Sequence, residues 1–205
     1  HAHGDAEPAG PRFVGFADPI DVGLSGPPIG MDAGDLDGDG LVDLVGASRG
    51  GFGGTVAIWL GRPDGTFAPQ PSQIAIPNGT IAVALADLDA DGHLGLVAAD
   101  GDSPLVQVHG GVGAGAFESG PSTVGTPAPS TAMTIADGDG DGIPDLATAH
   151  EDGTVSMHLS LGTRDFAAPR TFSVNAIPGS IAAGDLDGDG DDDLAVGLVS
   201  APTIR

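Results

Sequence analysis

Four short segments carry most of the residues whose type and spacing suit chemistry. They are Asp35-Leu36-Asp37-Gly38-Asp39-Gly40, Asp87-Leu88-Asp89-Ala90-Asp91-Gly92, Asp137-Gly138-Asp139-Gly140-Asp141-Gly142 and Asp185-Leu186-Asp187-Gly188-Asp189-Gly190. Carboxylates at positions 1, 3 and 5 converge when such a segment turns, and glycine at position 6 permits the sharp turn. Position 7 (Leu41, His93, Ile143, Asp191) offers a backbone carbonyl, and position 9 adds Asp43, Asp145 and Asp193. Hard oxygen donors at this spacing suit Ca²⁺. In the second segment position 9 is Gly95, which leaves three carboxylates. That site is expected to be the weakest, and an aspartate at 95 is expected to strengthen it. Position 12 holds Gly46, Ala98, Thr148 or Val196 rather than Glu, so these are not EF-hand loops. Asp and Gly are also good turn formers. Turns alone, however, do not require three stacked carboxylates, whose like charges repel without a counter-cation. Four periodic copies therefore favour up to four Ca²⁺ ions.

The segments begin 52, 50 and 48 residues apart, and the same frame surrounds each. Four residues before the first Asp stands Met31, Val83, Met133 or Ile181, and two before it Ala33, Leu85, Ile135 or Ala183. Nine residues after it comes Leu44, Leu96, Leu146 or Leu194. An apolar set at spacing two, leading into an Asp/Gly turn and out again, predicts strand–turn–strand. A third strand recurs at Thr55–Leu60, Leu105–His109 and Thr154–Leu159, and a fourth is marked by Phe67, Phe117 and Phe166. Four short strands in about fifty residues is the size of a β-propeller blade. No sustained helical periodicity interrupts them.

The expected fold is therefore all-β, a propeller of about four blades with four antiparallel strands each. Residues 1–11 read as a flexible tail and 12–205 as the propeller. The blades fall near 29–77, 79–125, 129–177 and 179–205. Arg12-Phe13 and Pro19–Gly23 resemble a fourth strand that precedes its own unit, while the last unit stops before its third strand. The last blade is thus expected to be out of phase and completed by residues 12–24.

Composition narrows the function classes. The formal charge is −23, from 29 Asp+Glu against 6 basic residues, all of them Arg. So few cations build no basic patch, which argues against nucleic-acid binding and attachment to anionic lipid. With no Cys, disulfides, zinc thiolates and thiol catalysis are excluded. Gly 36 and Pro 17 alongside 40% hydrophobic residues predict many turns between short buried strands rather than disorder. No apolar run is long enough to span a bilayer, so membrane insertion is not expected. A chain beginning at His1 without Met reads as a mature exported protein.

The pattern D-x-D-x-D-G-x-x-D-L in a repeat of about fifty residues resembles the FG-GAP/VCBS repeat of integrin α-chain propellers and many bacterial surface proteins. The resemblance covers residues 12–205. It implies a β-propeller with Ca²⁺ in the loop between the first two strands of each blade. The positions carried over are Asp35, Asp37, Asp39, Leu41 and Asp43, then Asp87, Asp89, Asp91 and His93. They continue with Asp137, Asp139, Asp141, Ile143 and Asp145, then Asp185, Asp187, Asp189, Asp191 and Asp193. The family usually has seven blades, whereas this chain holds four motifs.

Other candidates carry less. His109 and His158 share one repeat position with Trp59 and so fall in different blades, which favours a structural role. His1 and His3 offer nitrogen ligands to Cu²⁺ or Ni²⁺, although a floppy end or a residual tag explains them as well. Asn78-Gly79-Thr80 is a glycosylation sequon and Ser119–Thr131 is rich in Ser, Thr and Pro, both suited to sugar or to plain surface loops. No Ser–His–Asp or paired-carboxylate constellation stands apart from the Asp loops, so no catalysis is expected. The leading expectation is an extracellular or cell-surface, calcium-rigidified structural or adhesive module, able to self-assemble into homo-oligomers or a fibre by N-terminal strand exchange. Its ligand is expected to be a surface protein or a glycan. A carbohydrate-binding lectin is the first alternative, though one Trp and no Tyr equip it poorly to stack on sugars. A fragment of a larger receptor or enzyme is the second.

Overall fold

The computed structural model describes residues 19–50, 53–68, 72–77 and 79–199. The tail at 1–11, the first part of the expected completing strand, Asn78 of the sequon and residues 200–205 lie outside them. The described residues form strands and turns only. The strands are β1 (Pro28–Gly34), β2 (Asp43–Gly50), β3 (Gly53–Trp59), β4 (Ser72–Ile76), β5 (Thr80–Ala86), β6 (Gly95–Asp100) and β7 (Leu105–His109). They continue with β8 (Ser122–Gly125), β9 (Ser130–Ala136), β10 (Asp145–His150), β11 (Thr154–His158), β12 (Arg170–Ser173), β13 (Pro178–Gly184) and β14 (Asp193–Leu198).

Three antiparallel sheets contain four strands each, in the orders β1-β2-β3-β4, β5-β6-β7-β8 and β9-β10-β11-β12. The fourth, β13-β14, has two strands among the described residues. Residues 19–24 form no strand. They lie beside the first sheet instead, with Ile20–Gly23 next to Trp59 and Phe67. Ser25 continues this contact, its Oγ 3.1 Å from Ser48 Oγ and 2.8 Å from Thr55 Oγ1. Phe67, Phe117 and Phe166 mark turns rather than outer strands: each makes an isolated bridge, to Gly61, Gly111 and Ser160 respectively, before its outer strand begins.

The inner strands β1, β5, β9 and β13 succeed one another side by side. Each carries a register shift near its start, at Pro28/Gly30, Thr80/Ala82, Ser130/Ala132 and Pro178/Ser180. A bulge at one repeat position bends every unit in the same way. The core lies between successive sheets rather than inside any one of them. Leu36, Val45, Val56 and Ile58 of the first unit pack with Val83 and Leu96 of the second. Val97, Val106 and Val108 of the second pack with Leu146 of the third. β6 and β10 are buried along their whole length. Their sequences, GLVAAD and DLATAH, are small and aliphatic, as a strand covered on both faces requires.

A buried polar cluster sits in the third sheet. His150 and His158 are both 0% exposed, and Nε2 of each lies 3.2 Å from Thr148 Oγ1. His150 Nε2 also lies 3.2 Å from Ser156 Oγ, which lies 3.0 Å from Thr171 Oγ1. Burial pushes His158 down to about 4, with the neighbouring His150 adding to the effect. Burial also lowers His150. Both rings are thus neutral in the fold at pH 7, while the unfolded chain takes up protons near pH 6.5. Their contribution to stability is complete above that value and is lost as pH falls from 6.5 towards 4. The expected loss from His158 is on the order of 3 kcal/mol across that window. Urea unfolding of the native chain and of His158→Asn at each pH checks this. The native chain is expected to show the steeper fall; equal slopes contradict it.

Candidate metal centre

The Asp loops join β1 to β2, β5 to β6, β9 to β10 and β13 to β14. Each is shaped by its own carboxylates. At position 5, Asp39, Asp91, Asp141 and Asp189 accept the amide of position 7 at 2.8–3.0 Å. At position 1, Asp35, Asp87 and Asp137 accept the amide of the position-6 glycine at 2.9–3.0 Å. In the first, third and fourth loops the residues at positions 4 and 6 are glycines with φ between 70° and 101°. This left-handed backbone brings alternate carboxylates to one side at little steric cost. The second loop keeps the shape with Ala90 at φ 54°, a conformation that costs a residue with a Cβ roughly 1–2 kcal/mol.

These turns gather the carboxylates. Oxygens of Asp35, Asp37 and Asp39 lie within 4.8 Å of one another, as do those of Asp87, Asp89 and Asp91. So do oxygens of Asp137, Asp139 and Asp145, and of Asp185, Asp187 and Asp193. Asp43, Asp141 and Asp189 fall outside these groupings. Asp43 is 1% exposed and turns inward: Oδ2 accepts Leu36 N at 2.8 Å and Oδ1 accepts Gly61 N at 2.7 Å. Asp145, also 1% exposed, accepts Gly138 N at 2.9 Å and Ser160 N at 2.7 Å. The position-9 aspartates of these two loops therefore clamp the loop to the end of the third strand. Asp43 is a clamp alone, whereas Asp145 both clamps its loop and keeps its carboxylate within the third grouping, a distinction sequence spacing does not make.

Gly95 stands at the clamp position of the second loop. A Cβ there meets His109 O at 2.8 Å and Ala86 O at 3.3 Å. An aspartate at 95 therefore cannot simply complete the loop, because the backbone must first give way.

Electrostatics separate the loops. Hydrogen bonding, first from the Gly40 amide, holds Asp35 below the usual carboxylate range. Desolvation raises Asp37, Asp145 and Asp191, reinforced by the surrounding carboxylates. The third and fourth loops are joined: Asp192 N donates to Asp137 O at 2.7 Å, and Asp137 N donates to Asp192 Oδ2 at 2.9 Å. Asp137, which groups with Asp139 and Asp145, has its Oδ1 buried with no hydrogen-bond donor. A buried carboxylate oxygen without a donor carries a large desolvation cost. A hard divalent cation satisfies it, so the donor set fits one. His109 and His158 sit opposite Leu96 and Leu146 in separate sheets and form no joint site.

The description FG-GAP-like repeat belongs to a family model that matches residues 35–98 and 137–196. Each stretch spans two Asp loops. No curated protein matches. Among solved structures, the chain is similar to one in the crystal structure of BBS1N in complex with ARL6DN, soaked with lead. Identity is 18%, the TM-score is 0.61, and the match covers 93% of this chain and 59% of that one. The chain thus spans less than two thirds of that neighbour. At such identity the likeness speaks for the fold alone, which is all-β and propeller-like.

The clamp reading has a direct test. Asp43→Ala strands the Leu36 and Gly61 amides and is expected to cost about 2–4 kcal/mol even in chelator. Asp39→Ala is expected to cost less than about 1 kcal/mol under the same conditions. Denaturant unfolding in EDTA checks the pair, and equal losses contradict the assignment.

Proposed function

Since this chain belongs to the FG-GAP-like repeat family, we propose that it is a calcium-stabilised module of the cell surface or extracellular space that serves structure or adhesion rather than catalysis. The observation that carries this reading is the repeated carboxylate cluster at the same strand junction of every unit, with the donorless Asp137 Oδ1 in the third. Asp35, Asp37 and Asp39 would hold the ion in the first loop. Asp137, Asp139 and Asp145 would do so in the third, and Asp185, Asp187 and Asp193 in the fourth. A bound Ca²⁺ supplies positive charge and hard coordination, and no redox or acid–base chemistry. The chain's own part is to fix the strand junctions and to hold the carboxylates side by side. Extracellular modules bind Ca²⁺ at roughly 10⁻⁴–10⁻³ M, where millimolar calcium keeps such sites filled. Among the described residues no helix is long and apolar enough to cross a membrane.

Because the sites are assembled only in the folded state, occupancy stabilises it. Calcium at about ten times Kd adds about 1.4 kcal/mol per site, or roughly 3–6 °C in Tm for a chain of this size. Thermal melting in millimolar calcium and in EDTA tests the proposal. A drop of at least that size in EDTA is expected, and an unchanged midpoint overturns the calcium reading.

Assembly of copies through a donated strand belongs to the same proposal. Among the described residues β14 pairs only with β13, so its far edge is where a donor strand would add. Light scattering of the chain lacking residues 1–24 tests this. Loss of oligomers supports strand exchange, and oligomers that survive the deletion contradict it.

A further inference from the structure

The second loop differs from the others in several respects, and the differences converge on one side chain. Arg164 belongs to the turn between β11 and β12 of the third unit, yet its guanidinium reaches back into the second. Its Nε lies 3.3 Å from Asp89 Oδ2, and Nη1 pairs with Glu118. Among the described residues these are the ion pairs of the chain. Asp89 is the position-3 carboxylate of the second loop. The cleft that holds Arg164 has a volume of about 640 Å³ and is lined by Asp89, Asp91, Glu118 and Asp165.

The frame of the repeat shows how the arginine came to fit. Counting back two residues from Phe67, Phe117 and Phe166 places Gly65, Gly115 and Arg164 at one repeat position. Counting back one residue from their bridge partners Gly61, Gly111 and Ser160 places Leu60, Gly110 and Leu159 at another. Between the first and second units, Gly115 faces Leu60. Between the second and third, the sizes are exchanged: Arg164 lies over Gly110, in space that a Cβ would fill. Large against small has become small against large. A leucine at 110 would block the path of Arg164 to Asp89. The loop that gains the arginine is also the one with Gly95 where the first, third and fourth loops have Asp43, Asp145 and Asp193.

We infer that Arg164 takes the place of a divalent cation at the second loop, so that the chain binds three ions and closes its second-to-third junction with a guanidinium. The donor set agrees. One of the three carboxylates left there is already paired, and the clamp position cannot accept a Cβ without backbone movement. Among the described residues no other side chain forms an ion pair with Asp89. The guanidinium cannot dissociate as an ion does, so this junction is expected to stay closed when calcium is withdrawn. It departs from the fourfold occupancy that the sequence pattern suggests, while resting on the calcium reading of the remaining loops.

Calcium stoichiometry by equilibrium dialysis, on the full chain, tests the inference. Three ions are expected on the native chain and on Arg164→Lys, which keeps the charge. Four are expected on Arg164→Gln, with the added ion weaker than the others. Four ions on the native chain, or three on Arg164→Gln, overturn it. No calcium on any variant overturns the reading of all the loops instead, which separates the two failures. Melting in EDTA gives an independent check on the clasp. Arg164→Gln is expected to lower Tm by about 1–3 °C, the size of a partly exposed ion pair, and no loss counts against it.

Discussion

Carboxylates crowded into one turn repel, and each junction between the inner strand and its neighbour must answer that repulsion. The loops answer it first with their own backbone. Left-handed residues at positions 4 and 6 turn amides inward: the aspartate at position 1 accepts the amide of position 6, and the aspartate at position 5 accepts the amide of position 7. These bonds shape each loop, but each amide can offset only part of a full charge. At Asp137 Oδ1 even that is missing. What remains is charge that a cation would offset, and two kinds are proposed: an ion from solution and the side chain of Arg164.

The same junctions tie the units together. Leu36 and Leu88, at position 2 of their loops, are buried in the cores shared with the next sheet. Their carbonyls accept from that next unit too: Leu36 O from Gly115 N at 3.1 Å, and Leu88 O from Ser160 Oγ at 3.2 Å. Asp43 and Asp145 fasten the loops to the ends of the third strands from inside. A loop that loosens therefore disturbs a strand, a core and a neighbouring unit at once. This coupling ties the charged loops at the surface to an aliphatic core with few aromatic anchors.

Much of this was legible in the sequence, because a repeat displays its constraints several times over. The alternation of Met31 with Ala33 and of Val83 with Leu85, followed by the Asp segments, located the inner strands and their loops. Other features were hidden because they depend on register between strands or units. The inward turn of Asp43 and Asp145 rests on amides at Gly61 and Ser160, 18 and 15 residues away. The contacts of Thr148 with His158 and of His150 with Ser156 arise only when β10 and β11 lie side by side. Phe67, Phe117 and Phe166 recur like strand residues but mark the bridge at the turn, where Phe117 and Phe166 pack on the core shared with the preceding unit. Arg164 gave one signal, as a large cation at a position that is glycine in the first two units. Recognising it required the matching exchange of Leu60 and Leu159 for Gly110.

In the proposed arrangement, solution cations hold the first, third and fourth loops and a guanidinium holds the second. Anomalous diffraction from crystals grown in calcium, collected at long wavelength, tests it most directly. Peaks are expected about 2.3–2.6 Å from the carboxylate oxygens of Asp35, Asp137 and Asp185, and none beside Asp89. Loops without any peak, or a peak coordinated by Asp89, would contradict it.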